Sequence, residues 1–199
     1  DLEAGLRRRG ERWSLDVNLF AMEFLGEILP VGQLTYIGTP LRTNVQSSWR
    51  RGVEADLSAR PVSRVQIGIT ATAMHARIVS FTDDASGQTY RDVPPLLTPS
   101  FLSTQTASLD LSRFVSIAVV GRYVGNSRLT NTDDPAFALP SQYVADLSTT
   151  WTRGAHSASF FLNNATNNRG YASGHVAAGE ARYYVLPPLN AMLLVRLGI

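Results

Sequence analysis

Cysteine is absent from the 199 residues, and lysine is absent too: all eighteen basic side chains are arginine. The first absence excludes disulfides, thiolate metal sites and cysteine nucleophiles. The second has a bland origin in GC-rich codon usage. No apolar run approaches the roughly 18 residues that a membrane helix needs; the longest, such as Val115 to Val120, are short and interrupted. A basic, apolar leader is also missing at Asp1-Leu2-Glu3, which fits a chain beginning inside a longer precursor as well as it fits a cytosolic protein. The formal net charge of +2 gives no electrostatic footprint for nucleic acid. Helical periodicity is sustained nowhere. The chain is nevertheless 44% hydrophobic, too apolar for a disordered segment.

What is present is alternation with period two, in segments of about ten or more residues. In Trp49 to Arg60, one face carries Trp49, Arg51, Val53, Ala55, Leu57 and Ala59, and the other Arg50, Gly52, Glu54, Asp56, Ser58 and Arg60. Leu15 and Val17 alternate with Ser14, Asp16 and Asn18; Ile67 and Ile69 with Gln66, Gly68 and Thr70; Leu109 with Ser108 and Asp110; Leu147 with Asp146 and Ser148; Val195 and Leu197 with Leu194 and Arg196. The non-apolar face is small and polar, which suits a wet lumen better than open solvent. Trp13, Trp49, Phe81, Tyr123, Tyr143 and Trp151 fall near segment ends, where interfacial girdles lie.

Nine strands are expected, at about 1–8, 12–29, 46–60, 63–81, 101–112, 115–128, 141–152, 156–164 and 190–199. Short connections (9–11, 61–62, 113–114 and 153–154) alternate strictly with long ones (30–47, 82–100, 129–140 and 165–190). Outer-membrane barrels segregate loop lengths in this way, with short periplasmic turns and long outer loops. Nine strands cannot close a single-chain barrel of even strand number, and an open edge cannot face lipid. Further strands are therefore expected on the N-terminal side. The lipid-facing set is predicted to include Leu15, Val17, Val53, Leu57, Ile67, Leu109, Leu147, Val195 and Leu197, with Asp16, Glu54, Asp56, Asp110 and Asp146 turned inward.

Three segments resemble TonB-dependent receptors. Asn44 to Asp56, NVQSSWRRGVEAD, is similar to that family's recurring Gly-Val-Glu strand, and Leu19 to Ile28, LFAMEFLGEI, resembles the rising strand before it. Phe161 to Gly174, FLNNATNNRGYASG, resembles the penultimate-strand pattern, and Tyr183 to Ile199, YYVLPPLNAMLLVRLGI, the closing strand. The ordered set covers essentially the whole chain. One departure is the final residue, Ile199, where the family usually has Phe. The resemblance implies an all-β fold, an antiparallel meander of about nine strands over residues 1–199, forming the C-terminal part of a 22-stranded transmembrane β-barrel in the bacterial outer membrane. It implies a plug domain and the earlier strands upstream, and a link through them to the TonB system. It also implies uptake of a scarce small nutrient, an iron–siderophore complex above all. An autotransporter-type barrel or an adhesion module is the alternative.

No catalytic, metal or cofactor site is expected. His75, His156 and His175 are far apart in sequence, and no G-x-S-x-G or phosphate-binding loop occurs. Glu54 and Asp56 share a strand face with Arg50 and Arg60, so lumenal ion pairs are expected there rather than acid–base chemistry. Arg50, Glu54, Asp56, Asp110, Arg122 and Asp146 are the lumen-facing candidates for contact with plug or ligand. Asp83-Asp84 and Asp133-Asp134 are expected to be solvated loop charges, and Asn164-Ala165-Thr166 a coincidental sequon.

Overall fold

The computed structural model describes residues 1–83 and 87–198; Asp84 and Ile199 lie outside them. The wall is one antiparallel sheet in the order β1 (Leu2–Arg9), β2 (Trp13–Leu34), β3 (Pro40–Ala59), β4 (Val65–Thr82), β6 (Phe101–Asp110), β7 (Val115–Val124), β10 (Gln142–Arg153), β11 (His156–Asn163) and β14 (Asn190–Arg196). That is the expected meander of nine strands, each pairing with its neighbour on the path. Between them lie β5 (Thr89–Val93), which pairs with the outer half of β4, the short β8 (Ser127–Arg128) and β9 (Ala138–Leu139), and a hairpin of β12 (Tyr171–Ala177) and β13 (Glu180–Val185). The one helical piece among the described residues is a 3-10 turn, Pro135–Phe137, so crossing a membrane falls to strands.

Register fixes the faces, because directly opposed residues share one. Leu15 lies opposite Leu57, and Leu57 opposite Ile69; Val65 lies opposite Leu109, which faces Ile117; Leu147 lies opposite Val119 and Leu162; Ala158 lies opposite Val195. All eight in-strand members of the predicted lipid-facing set thus fall on one apolar face; Leu197 falls just beyond β14. The five carboxylates fall on the other. The cavities along the wall, of about 550 Å³ and 230 Å³, are lined by side chains of the polar set, among them Asp16, Glu54, Asp56, Thr70 and Arg122, so the polar face is the concave one. The convex face carries exposed leucine, isoleucine and valine at row after row. In water such a surface would be an aggregation hazard; in lipid it costs nothing. On β10, Tyr143 and Trp151 stand eight residues apart on that face, about 20 Å of height for a tilted strand. This is close to the apolar band of an outer-membrane barrel.

The turn ends follow expectation, but the outer ends depart from it in three places. The segment 30–47 is not a long loop. β2 runs on to Leu34 and β3 starts at Pro40, so the hairpin continues well beyond the band and closes in a tight turn, with the Thr35 amide bonded to the Thr39 carbonyl at 2.8 Å. Residues 165–190 hold the β12–β13 hairpin, and 82–100 holds β5. Phe81 is no girdle residue: it is 4% exposed, in an outer cluster with Leu29, Val45, Ile78 and Val93.

These outer excursions pack on one another. Leu129 is fully buried against Leu139 and Val176 of β12. Asn131, 1% exposed, accepts from the Leu96 amide at 2.8 Å and donates to the Pro30 carbonyl at 2.9 Å. Gly32, at φ +84°, lies so close that a Cβ there would sit 2.1 Å from the Leu129 carbonyl oxygen; only glycine fits both the angle and the approach. β12 also lies against β2. On the wall β2 and β11 have five strands between them, about 29 Å at ordinary strand spacing, so the excursions must lean inward to meet. They form a roof over this sector of the concave face.

Asn131→Ala should leave the Pro30 carbonyl and the Leu96 amide without partners and loosen the roof by about 1–3 kcal/mol. Limited proteolysis of the folded barrel should then cut within residues 125–141 sooner, the wall staying resistant. Cleavage at the parent rate would show that Asn131 does not hold the roof.

Candidate lumenal binding wall

Alternation brings Asp16, Glu54 and Asp56 into one concavity of about 550 Å³ at mid-height on the polar face. Asp16 stands directly opposite Asp56, and Asn18 opposite Glu54. Like charges placed opposite across a strand pair repel. Arg7 of β1 donates to Asp16, and Asn18 Nδ2 is bonded to Glu3 Oε2 at 3.3 Å. Glu54 and Asp56 take part in no ion pair among the described residues, and both are exposed to the concavity. This corrects the expectation that Arg50 and Arg60 neutralise them. Arg50 is engaged further out: its Nη2 lies 2.7 Å from Glu27 Oε1, its guanidinium sits 4.6 Å over the Phe24 ring, and Ser48 donates to the same carboxylate. The path of β2 accounts for the difference. Gly26, at φ +67°, interrupts the alternation, so that Glu27 meets Ser48 and Arg50.

Arg122 and Asp146 do come together, at 2.5 Å between Nη1 and Oδ2. The other oxygen of Asp146 accepts from the Asn164 amide at 2.7 Å. Asn164, 4% exposed and at φ +50°, donates to the carbonyls of Asn168 (2.8 Å) and Pro187 (2.9 Å) and accepts from the Asn168 amide and the Thr166 hydroxyl. The sequon asparagine is thus a buried structural tie, fixing the exit of β11 to the carboxylate of β10. Asp110 stands alone near the short-turn end, opposite Ser116. Of the six candidates, then, two share the mid-height concavity, two form a pair, and Arg50 and Asp110 lie elsewhere. Sequence reasoning missed Arg7, Glu27 and Asn164. Register alone could have found Arg7, since it lies opposite Asp16.

The three histidines make separate contacts. His75 packs edge-on to Trp49 at 5.2 Å, His156 accepts from the Gly198 amide at 3.3 Å, and His175 lies beside Tyr184 in the outer hairpin. No group of three potential metal ligands forms among the described residues. Asp133 is paired with Arg128 at 2.9 Å rather than free, and Asp134 caps the 3-10 turn through the Ala136 amide at 2.8 Å.

An apolar convex face, aromatic residues at both its margins, a polar concave face and segregated loop lengths together define part of the wall of an outer-membrane β-barrel. Comparison with known proteins gives the family. A sequence model described as TonB dependent receptor-like, beta-barrel matches residues 1–167, and the chain belongs to that family of outer-membrane receptors. Solved structures agree in fold. The ferric yersiniabactin uptake receptor FyuA from Yersinia pestis superposes with a TM-score of 0.77 at 14% identity, over 98% of this chain and 29% of its own. The ferric-catecholate import receptor Fiu from E. coli K12 gives 0.73 at 19% identity, over 98% and 26%. The copper transporter OprC gives 0.71 at 13% identity, over 98% and 30%. This chain spans less than a third of the length of each. No curated protein sequence matches it. The family is one of receptors and transporters, not enzymes, and its members reside in the outer membrane of Gram-negative bacteria.

Proposed function

We propose that residues 1–199 are the C-terminal portion of a 22-stranded TonB-dependent receptor, and that the receptor takes up an iron–siderophore complex. The plug domain of the same chain sits against the wall at Asp16, Glu54 and Asp56, and the roofed outer end receives the ligand. The observation that carries this reading is the mid-height concavity, in which Arg7 is the one cation set against three carboxylates. A lumen filled only with water would hydrate these groups and leave them with no structural use. A basic plug surface would both neutralise them and be positioned by them, since charge pairs inside a protein interior fix register strongly. The siderophore assignment leans on relatives named as siderophore or ferric-chelate receptors. The copper transporter among them makes the ligand a separate question from the mechanism.

The test is charge reversal in the full-length receptor. With Glu54→Arg and Asp56→Arg together, the plug should seat poorly. Siderophore-dependent growth on limiting iron should fall at least tenfold, and the cells should become permeable to a bulky antibiotic normally held out. The neutral pair Glu54→Gln and Asp56→Asn should give a milder form of both effects. Growth and permeability at parent levels in the reversed variant would mean that the plug does not lean on this wall.

A further inference from the structure

The rim formed by the four short turns carries a charge pattern that uptake does not use. Arg9 and Arg12 flank the first turn and Arg60 and Arg64 the second; Arg113 lies in the third, and Arg153 begins the fourth. Glu11 and Asp110 are the two acids set against these six arginines. All six are exposed, and none joins an ion pair among the described residues. Arg12 gives one donor to the Pro61 carbonyl at 3.1 Å, and the Arg113 guanidinium lies 4.5 Å over the Phe114 ring. Higher on the wall, Arg7, Arg50, Arg51, Arg77 and Arg122 each meet a carboxylate. Five of the nine other arginines of the sheet are thus paired (Arg8, Arg42, Arg91 and Arg196 are the rest), against none of the six at the rim, among the described residues.

The turns occur at every second strand, so these stations repeat at about 10 Å, close to one Debye length at physiological ionic strength. Each guanidinium thus adds to the potential of its neighbours. The rim also borders the apolar band directly. Trp13 and Trp151 stand on the convex face beside it, 47% and 39% exposed, and the Trp13 ring covers Gly10 so closely that a Cβ there would lie 2.3 Å from its Nε1. Indoles at such a margin sit at headgroup level, which puts the turn arginines Arg12, Arg64 and Arg113, and Arg153 on the face of Trp151, at the depth of the lipid phosphates; Arg9 and Arg60 lie on the concave side of the same rim, with Ser14 and Ser58. The planar fork of arginine matches phosphate oxygens in a way a point charge does not.

We propose that this arginine rim binds the phosphates of anionic phospholipids in the inner leaflet and concentrates such lipids around the barrel. The inference rests on the family's topology, with short turns on the periplasmic side, but not on the identity of the transported ligand.

The experiment uses the full-length receptor in a cysteine-free background, with Val62→Cys in the exposed second turn carrying a small fluorophore. The receptor is reconstituted into vesicles of phosphatidylglycerol and phosphatidylcholine, and either lipid is supplied in brominated form at the same mole fraction. Brominated phosphatidylglycerol should quench the label several-fold more strongly. The preference should shrink in high salt and disappear when Arg12, Arg64, Arg113 and Arg153 are all replaced by Gln, each loss weakening it by up to about fivefold. Replacement of the same four by Lys should retain part of the preference. Heat-modifiable mobility confirms that each variant is folded, and uptake by the Gln variant should match the parent. Equal quenching by the two lipids, or a preference that survives the Gln replacements, would overturn the proposal. Either outcome would leave the transport reading standing, because uptake is measured separately on the same proteins.

Discussion

Leu147→Arg in the full-length receptor should lower stability by about 2–4 kcal/mol, whereas Ser148→Arg, one residue along the same strand, should cost well under 1 kcal/mol. Leu147 projects from the convex face between Tyr143 and Trp151, with Val119 and Leu162 directly beside it, and is 40% exposed. Near the bilayer midplane a guanidinium there must snorkel or draw water into hydrocarbon. Ser148 lies opposite Phe161 and Ala118 on the concave face, where an arginine meets water. Because successive side chains point to opposite sides, the two substitutions share backbone, depth and propensity, and differ in little but solvent. Denaturant titration of the refolded receptor in lipid vesicles measures both. Equal losses at the two positions would be incompatible with a membrane wall, since water on both faces treats them alike.

The second large effect concerns the nine strands taken alone. β1 and β14 each pair on one side only. β14 presents Met192, Leu193, Leu194 and Val195, each more than half exposed. Unpaired strand edges of this length recruit other chains, and within lipid their free amides and carbonyls cost several kcal/mol each. Expressed with a secretion signal in an outer-membrane host, residues 1–199 should therefore aggregate or be degraded and should support no growth on a scarce iron source. The full-length receptor should support it, and only in hosts that have TonB. Growth sustained by the nine strands alone, or by the full receptor equally well without TonB, would mean that the barrel works by another route.

The wall was legible in the sequence because its determinants are local. Period-two alternation assigns each side chain to a face, turn residues end each run, and sequential pairing leaves little choice of neighbour. Leu15 through Leu147 therefore took their predicted places. The carboxylates were placed on the correct face by the same rule, but their partners were not, because pairing depends on what lies across and not along a strand. Arg50 shares a face with Glu54, yet it pairs with Glu27, 23 residues earlier, once Gly26 shifts the path of β2. The outer end was the least legible. Nothing periodic announces that residues 30–34 continue a ladder, that β12 and β13 form a hairpin of their own, or that Asn131 is buried. Those features depend on contacts between segments remote in sequence, and polar, glycine-bearing stretches look like loops whether or not something covers them.

The hydrogen bond from Asn131 to Pro30 joins residues 101 apart in the chain, while successive wall strands meet across turns of only a few residues. Closing so long a loop has an entropic cost that grows with its length, and contacts of high sequence separation form late. The wall can be laid down hairpin by hairpin, but the roof can close only after every strand from β2 to the end of β7 is in place. The outer cap is thus a record of completed assembly: a barrel stalled partway through would display Leu129 and Val176 uncovered, a surface that quality-control proteases could recognise and that the finished receptor hides.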